Sequence, residues 1–253
     1  QTVKEGNWIP IHEIPCNDEV ASLLSSFNSM IAIQTKMRDD LIEAEKLKQQ
    51  LSLNLLQQQV NPHFLYNTLD NICALAELDE KETLIQLVMN LSSFYRSSLS
   101  NGKMHISIGQ ELEISRAYLE ILQIRYFHKF DFTITCPEAL KNYSCIKLLL
   151  QPILENSIYH GIKGLDRHGI LHIEAEDAGD CIRFTISDNG RGFSKEDYEK
   201  IWQQDADHFG IKSIQQRILL YYGPGYGLSM ESPQTGGCIT VITLPKQEGL
   251  PCH

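Results

Sequence analysis

From Val20 the apolar positions fall at Leu23, Leu24, Phe27, Met30, Ile31, Met37 and Leu41, then more thinly through Ala44 to Leu51 and Leu55. So narrow a stripe with polar flanks predicts a coiled coil between two copies; a single amphipathic helix lying on its own domain is the other reading. Gln34 and Lys48 interrupt the stripe, which suits a moderately stable seam able to change register or twist. Helical spacing returns over Thr83 to Leu99 and Gly109 to Tyr126, separated by Asn101-Gly102-Lys103. The pattern then mixes: a strand (Phe130 to Thr135), a helix (Ile146 to Gly161), two strands (Ile170 to Glu176 and Cys181 to Ser187), a helix (Gly210 to Tyr221) and two last strands. An α+β chain is predicted, its C-terminal half a mixed sheet covered on one face by helices. The charged segment from Phe193 to His208 reads as a lid or as an ordinary surface loop.

Candidate chemistry begins at Asn61-Pro62-His63-Phe64-Leu65-Tyr66-Asn67. Inside a helix, Pro62 removes one backbone hydrogen bond and crowds the carbonyl of Gln58, at a cost of roughly 3 kcal/mol, so a kink is expected beside His63. A kink would expose the imidazole, and neutral imidazole is a competent nucleophile near pH 7. His63 is therefore a candidate phosphoryl acceptor. The bland alternative is a helix break carrying a surface histidine.

Two further strings add to it. Asp188-Asn189-Gly190-Arg191-Gly192-Phe193 follows a strand, so a carboxylate able to accept a hydrogen bond from an exocyclic amine stands beside two glycines that let backbone approach a flat ligand. A plain turn fits the same residues. Upstream, Gln151-Pro152-Ile153-Leu154-Glu155-Asn156-Ser157-Ile158-Tyr159-His160-Gly161 places Glu155, Asn156, Tyr159 and His160 close together at helical spacing. Amide oxygen, carboxylate and imidazole there could meet a magnesium ion and its phosphates, since magnesium takes few protein oxygens and completes its octahedron with water and phosphate. A polar helix face ended by Gly161 is the plainer reading.

Taken in order, these strings resemble a sensor histidine kinase of the NPHFLYN (LytS/YesM-like) subfamily. The resemblance implies a cytoplasmic portion: a partial HAMP relay over 1–38, a signalling coiled-coil helix over 39–58, a dimeric histidine-phosphotransfer hairpin over 59–128, an α/β-sandwich (Bergerat-type) ATP-binding domain over 129–247 and a tail over 248–253. Gly6-Asn7-Trp8-Ile9-Pro10-Ile11 resembles the HAMP connector, and Asp18-Glu19-Val20 the start of its second helix. By the same resemblance His63 is the acceptor and Asn156 the magnesium ligand. Asp188, Gly190 and Gly192 match the adenine-binding glycine box, Gly210 the second box, and Gly236-Gly237 the closing pair. His160 is a further phosphate contact. His208 stands where the second box has a glycine, and Phe64 stands where many such kinases have an acid after the histidine. That leaves Glu155 as a candidate base, unless transfer relies on an already neutral imidazole. Asn67, one turn beyond His63, matches residues that orient water for dephosphorylation of the partner. Arg125 matches an arginine ending the family's YLEI-like segment, although arginines at helix ends commonly serve in surface salt bridges. Leu69, Ile72, Leu84, Leu87, Leu91 and Phe94 are assigned to the packed interior of the dimeric hairpin.

The implied ligands and partners are ATP, Mg2+, a second copy of the chain and the receiver domain of a response regulator. Composition agrees. At 253 residues and 42% hydrophobic, the chain suits one compact domain plus an elongated helical part. A net charge of −10, with no basic stripe, argues against direct nucleic-acid binding. Seven scattered cysteines without a C-x-x-C pair read as reduced cytosolic thiols. No run of about 18 apolar residues is present, so a membrane would be reached only through segments outside this sequence. An ATP-driven clamp, or a relative that has lost catalysis and serves as a nucleotide-dependent scaffold, stays open as the other class, with His208 and Phe64 as the residues favouring it. NPHFLYN has no purpose in a clamp.

Overall fold

The computed structural model describes residues 22, 25–43, 62–98, 104–202, 209–234 and 236–247, and it divides into two units, Gln1–Val60 and Asn61–His253. In the first unit, helix α1 (25–43) leaves Phe27, Met30, Met37 and Leu41 exposed along the expected stripe. Exposed apolar positions along one helix face are what one strand of a coiled coil presents, although Ile31 on the same stripe is buried. The HAMP-like connector, the start of its second helix and residues 44–58 of the seam lie outside the described residues, as do Pro62's upstream neighbours on which the expected kink depends.

The second unit opens with helices α2 (Pro62–Glu77) and α3 (Lys81–Ser98), joined by a turn at Leu78 to Glu80 in which Asp79 adopts φ 57°. Of the six positions assigned to the hairpin interior, Leu87 and Phe94 are buried within the single chain, Ile72, Leu84 and Leu91 are half-buried, and Leu69 is exposed. Leu69 shares its outer face with Tyr66, and Ile85, Val88 and Met89 are likewise exposed on α3.

Strand β1 (His105–Ser107) and strand β3 (Ser144–Ile146) form a small antiparallel sheet that periodicity did not reveal, because three residues carry too little of it. Ser107 then caps helix α4 (Ile108–Arg125): its hydroxyl accepts from Gln110 N at 3.2 Å, and the Gln110 side chain accepts from Ser107 N at 3.1 Å. Ten of the 18 residues of α4 are buried, so it is the central helix of the unit, with α3 on one side and the segments Gln151–Asn156 and Phe130–Thr135 on others.

The helix expected from Ile146 begins only at Gln151. Residues up to Ile146 are committed to β3, and Leu148 sits at φ 55°, a left-handed conformation incompatible with a helix. Two buried charges hold that turn. Glu111 on α4 accepts from Leu148 N at 2.8 Å and Leu150 N at 2.9 Å, while Arg217 donates to the carbonyls of Leu148 and Lys147. Burial pushes the Glu111 carboxyl up and the Arg217 guanidinium down, and the backbone donors around Glu111 and the opposite charges offset part of each. Pro152, at the start of α5 (Gln151–Asn156), fixes the helix entry where no N–H is needed.

A five-stranded sheet, ordered β2-β4-β5-β7-β6, forms the remainder: β2 (Phe130–Thr135), β4 (Gly169–Asp177), β5 (Cys181–Asp188), β6 (Gly227–Glu231) and β7 (Cys238–Pro245). Only β2 and β4 run parallel. Along β4 and β5 buried and more exposed residues alternate, with Ile173, Phe184 and Ile186 in the core, so one face meets α4, α5 and α7 (Phe209–Tyr222). The fold is the expected α+β arrangement, a helical part followed by a helix-covered mixed sheet. The charged segment after Phe193 contains helix α6 (Lys195–Trp202), and His208 lies outside the described residues.

Candidate active site

At Asn156 the helix changes pitch. Ser157–Ile162 form a π turn, closed by Lys163 N donating to Ile158 O at 2.8 Å. Such turns are rare and gather at functional sites. Here the widened turn brings Gly161 against the end of β5. A Cβ on Gly161 would lie 3.2 Å from Asp188 Oδ1, a Cβ on Gly190 would lie 2.6 Å from Gly161 Cα, and Arg191 N donates to Gly161 O at 3.2 Å. Glycine is thus required at 190 by close packing against backbone, while at 161 a side chain would crowd the Asp188 carboxylate.

Asp188 Oδ1 is occupied by the protein, accepting from Gly190 N at 2.9 Å and Cys238 N at 3.2 Å. Its second oxygen, Oδ2, is buried with no hydrogen-bond partner among the described residues. Burial pushes the carboxyl up, and the Ser157 hydroxyl beside it and the two backbone donors pull against that. With only the Ser157 hydroxyl beside it, this buried oxygen keeps capacity to accept from a further donor such as an exocyclic amine.

Around Asp188 lies a cavity of about 620 Å³ whose walls include Asn156, Ser157, His160, Gly192, Ser232 and Gly236. Ligand pockets are commonly of this size. Ser232 ties the glycine segments together, accepting from Phe193 N at 3.1 Å and donating to Gly237 O at 3.0 Å. Gly192, Gly236 and Gly237 have φ of 72°, 90° and 89°, and a Cβ on Gly237 would collide with the Asp188 carbonyl. A second cavity, of about 160 Å³, is lined by Pro152, Glu155, Asn156, Tyr159, His160, Gly210 and Ile211. Asn156 and His160 line both, so the two cavities adjoin at these residues.

The expected nucleotide residues therefore come together: Asn156, His160, Asp188, Gly192 and Gly236 in the larger space, Glu155 and Gly210 in the smaller, Gly190 and Gly237 as packing behind them. Residues that sequence reasoning did not assign to the site are Ser232, Arg191 and Asp197, which line the larger cavity, and Tyr118, which donates from its hydroxyl to Glu155 Oε1 at 3.0 Å. Nothing in local periodicity marks them. Arg125 makes no surface salt bridge among the described residues; it donates to the Tyr159 hydroxyl at 3.0 Å and lies 5.4 Å over the Tyr126 ring, because the carboxylate-free end of α4 meets an aromatic pair instead.

His63 is exposed on the first turn of α2 and lines neither cavity. Phe64 is turned the other way, 2% exposed, with its ring 5.4 Å from Phe94 and 5.0 Å from Tyr118. Asn67 is half-buried, and its amide nitrogen is enclosed without a partner among the described residues.

In this chain a helix bearing an exposed histidine precedes a domain with a glycine-walled cavity, and the chain belongs to the histidine kinases. The histidine kinase family matches residues 51–130, and the family of histidine kinase-, DNA gyrase B- and HSP90-like ATPases matches residues 143–248. Among relatives, the sensor histidine kinase YesM of Bacillus subtilis is 31% identical over 90% of this chain and 39% of its own length. The sensor protein LytS of Staphylococcus haemolyticus is 27% identical over 86% of this chain and 37% of its own. The sensor histidine kinase BtsS of Escherichia coli is 33% identical over 72% of this chain and 31% of its own. The chain thus spans less than two fifths of the length of each. No helix among the described residues is long and apolar enough to cross a membrane.

Proposed function

We propose that this chain is the kinase portion of a two-component sensor, which phosphorylates His63 from ATP and passes the phosphoryl group to an aspartate of a response regulator. The observation that carries it is the contrast at adjacent residues: His63 exposed and Phe64 anchored in the same core as the helix bearing Asn156. In the proposed step a nitrogen of His63 attacks the γ-phosphorus, the bond to the β-phosphate bridging oxygen breaks, ADP departs, and the imidazole sheds its remaining ring proton. Because His63 lines neither cavity, the acceptor and the nucleotide must approach before transfer. Positioning and charge neutralisation then supply most of the rate.

Adenine is read by Asp188 Oδ2, and the phosphates lie toward His160 and the N-terminal end of α7 at Gly210, where backbone N–H groups and the helix dipole favour anions. Asn156, at the junction of both cavities, would hold magnesium through its amide oxygen, and bound magnesium supplies charge neutralisation at the phosphate oxygens. Glu155 is the acid nearest this junction in sequence and is the proposed proton acceptor, since the buried Phe64 supplies none. Incubation with labelled ATP and magnesium should give label that is base-stable and acid-labile, the signature of a nitrogen–phosphorus bond. Acid-stable label would overturn the reading.

We also assign 1–38 to the HAMP relay, 39–58 to the signalling helix, 59–128 to the phosphotransfer hairpin and 129–247 to the ATP-binding domain, ahead of a tail. The exposed residues Tyr66, Leu69, Ile85, Val88 and Met89 of the hairpin, and the stripe on α1, support a homodimer. We place this chain, as the kinase portion of a sensor, on the cytoplasmic side of a membrane. Asn67 is proposed to orient water against the phosphorylated partner. The Asn67→Ala chain should then release phosphate from the phosphorylated receiver about tenfold more slowly; unchanged release would remove that role.

A further inference from the structure

Tyr118 is wholly buried, yet it touches both halves of the proposed reaction. Its ring lies 5.0 Å from that of Phe64, the residue after His63, and 5.7 Å from Phe94 on α3, so α2, α3 and α4 meet in one cluster of three rings. Its hydroxyl donates to Glu155 Oε1 at 3.0 Å, and Glu155 precedes Asn156. A phenylalanine would fill the ring position equally well. The hydroxyl is therefore spent on a contact that packing does not require.

We propose that Tyr118 is a positioning residue for phosphoryl transfer: its ring seats the turn that carries His63, and its hydroxyl fixes the Glu155–Asn156 step at the junction of the two cavities. The inference rests on the assignment of His63 and Asn156 above. Glu155 is held at one oxygen by Tyr118 and is approached by Gln151 Nε2 at only 3.5 Å, so the Tyr118 hydrogen bond is the shorter of those two. Burial and the Glu155 carboxylate both push the Tyr118 phenol upward, so it stays a donor at neutral pH. A shift of Phe64 would tilt the Tyr118 ring and with it the hydroxyl that Glu155 depends on. Close packing passes such a displacement on, because the cluster has no slack to absorb it.

Tyr118→Phe in the full chain tests this, since it keeps the ring and removes only the hydroxyl. The rate of His63 phosphorylation at saturating ATP should fall about tenfold while the Kd for ATP stays within about twofold, the split expected when an interaction matters to the transition state and not to ground-state binding. Glu155→Ala should then have less effect in the Tyr118→Phe background than in the parent, because Tyr118 acts through Glu155 and its share of the effect is already lost there. Phe64→Leu, which retains apolar fill without the ring contact, should reproduce the split and serves if Tyr118→Phe does not fold. A raised Kd with unchanged saturating rate, or effects of Tyr118→Phe and Glu155→Ala that simply multiply, would overturn the positioning role. Failure of the parent chain to carry any His63-dependent label would instead overturn the assignment on which it rests.

Discussion

Replacing His63 by glutamine is expected to remove the acid-labile label by at least about a thousandfold while leaving ATP affinity within about twofold, because an amide nitrogen is no nucleophile and the position lines neither cavity. His63 is exposed, and glutamine is a good helix former of similar reach, so the fold should not register the change. The anchoring of the turn comes from Phe64, whose burial contributes about 1.5–3 kcal/mol and which the substitution leaves alone. This control matters because the chain has nine histidines, one of which, His160, lines both cavities. Quantifying base-stable label alongside nucleotide binding separates the cases. Label that persists in His63→Gln and disappears in His160→Gln would move the acceptor into the cavity wall and sink the assignment.

The two residues of that turn also show where sequence reading works and where it stops. NPHFLYN led to the expectation of an exposed imidazole at His63, and the residue is exposed, since a histidine after a proline is a local feature. What Phe64 does was not legible, because its partners Phe94 and Tyr118 lie 30 and 54 positions away in the chain and no local spacing pairs them. The sheet was legible in β4, β5 and β7, which are long enough for alternation to register. It was not legible in β1 and β3, whose three-residue pairing depends on the β1–β3 register and on the Glu111 and Arg217 clamp behind it. The same clamp explains why the helix before Asn156 starts later than its leucines suggested: Leu148, Leu149 and Leu150 are buried through a left-handed turn and not through a helical stripe. At the site, residue types were readable and the π turn was not. That turn coincides with the close approach of Gly161 to Gly190, which is a tertiary condition.

Asp188→Asn should separate adenine recognition from the turn that houses it. The asparagine carbonyl can keep the hydrogen bonds from Gly190 N and Cys238 N, so the glycine segment retains its shape. Its amide nitrogen then occupies the place of Oδ2, presenting a donor where the adenine amine also presents one. A site built to accept and now made to donate should lose ATP affinity by about a hundredfold or more. Without nucleotide the sign reverses. Burial raises the Asp188 pKa, so above its folded value the charged carboxylate costs stability that the neutral amide does not, and the empty variant should melt at or above the parent at neutral pH. Below the unfolded pKa both forms are neutral and the difference should vanish. Thermal melts with and without nucleotide read both effects, because ligand stabilises only as far as its concentration exceeds Kd. Inosine triphosphate, with a carbonyl in place of the amine, should lose less than ATP in the variant, since the new amide can donate to it. An ATP-induced shift that survives Asp188→Asn in full would mean the base is read elsewhere in the cavity.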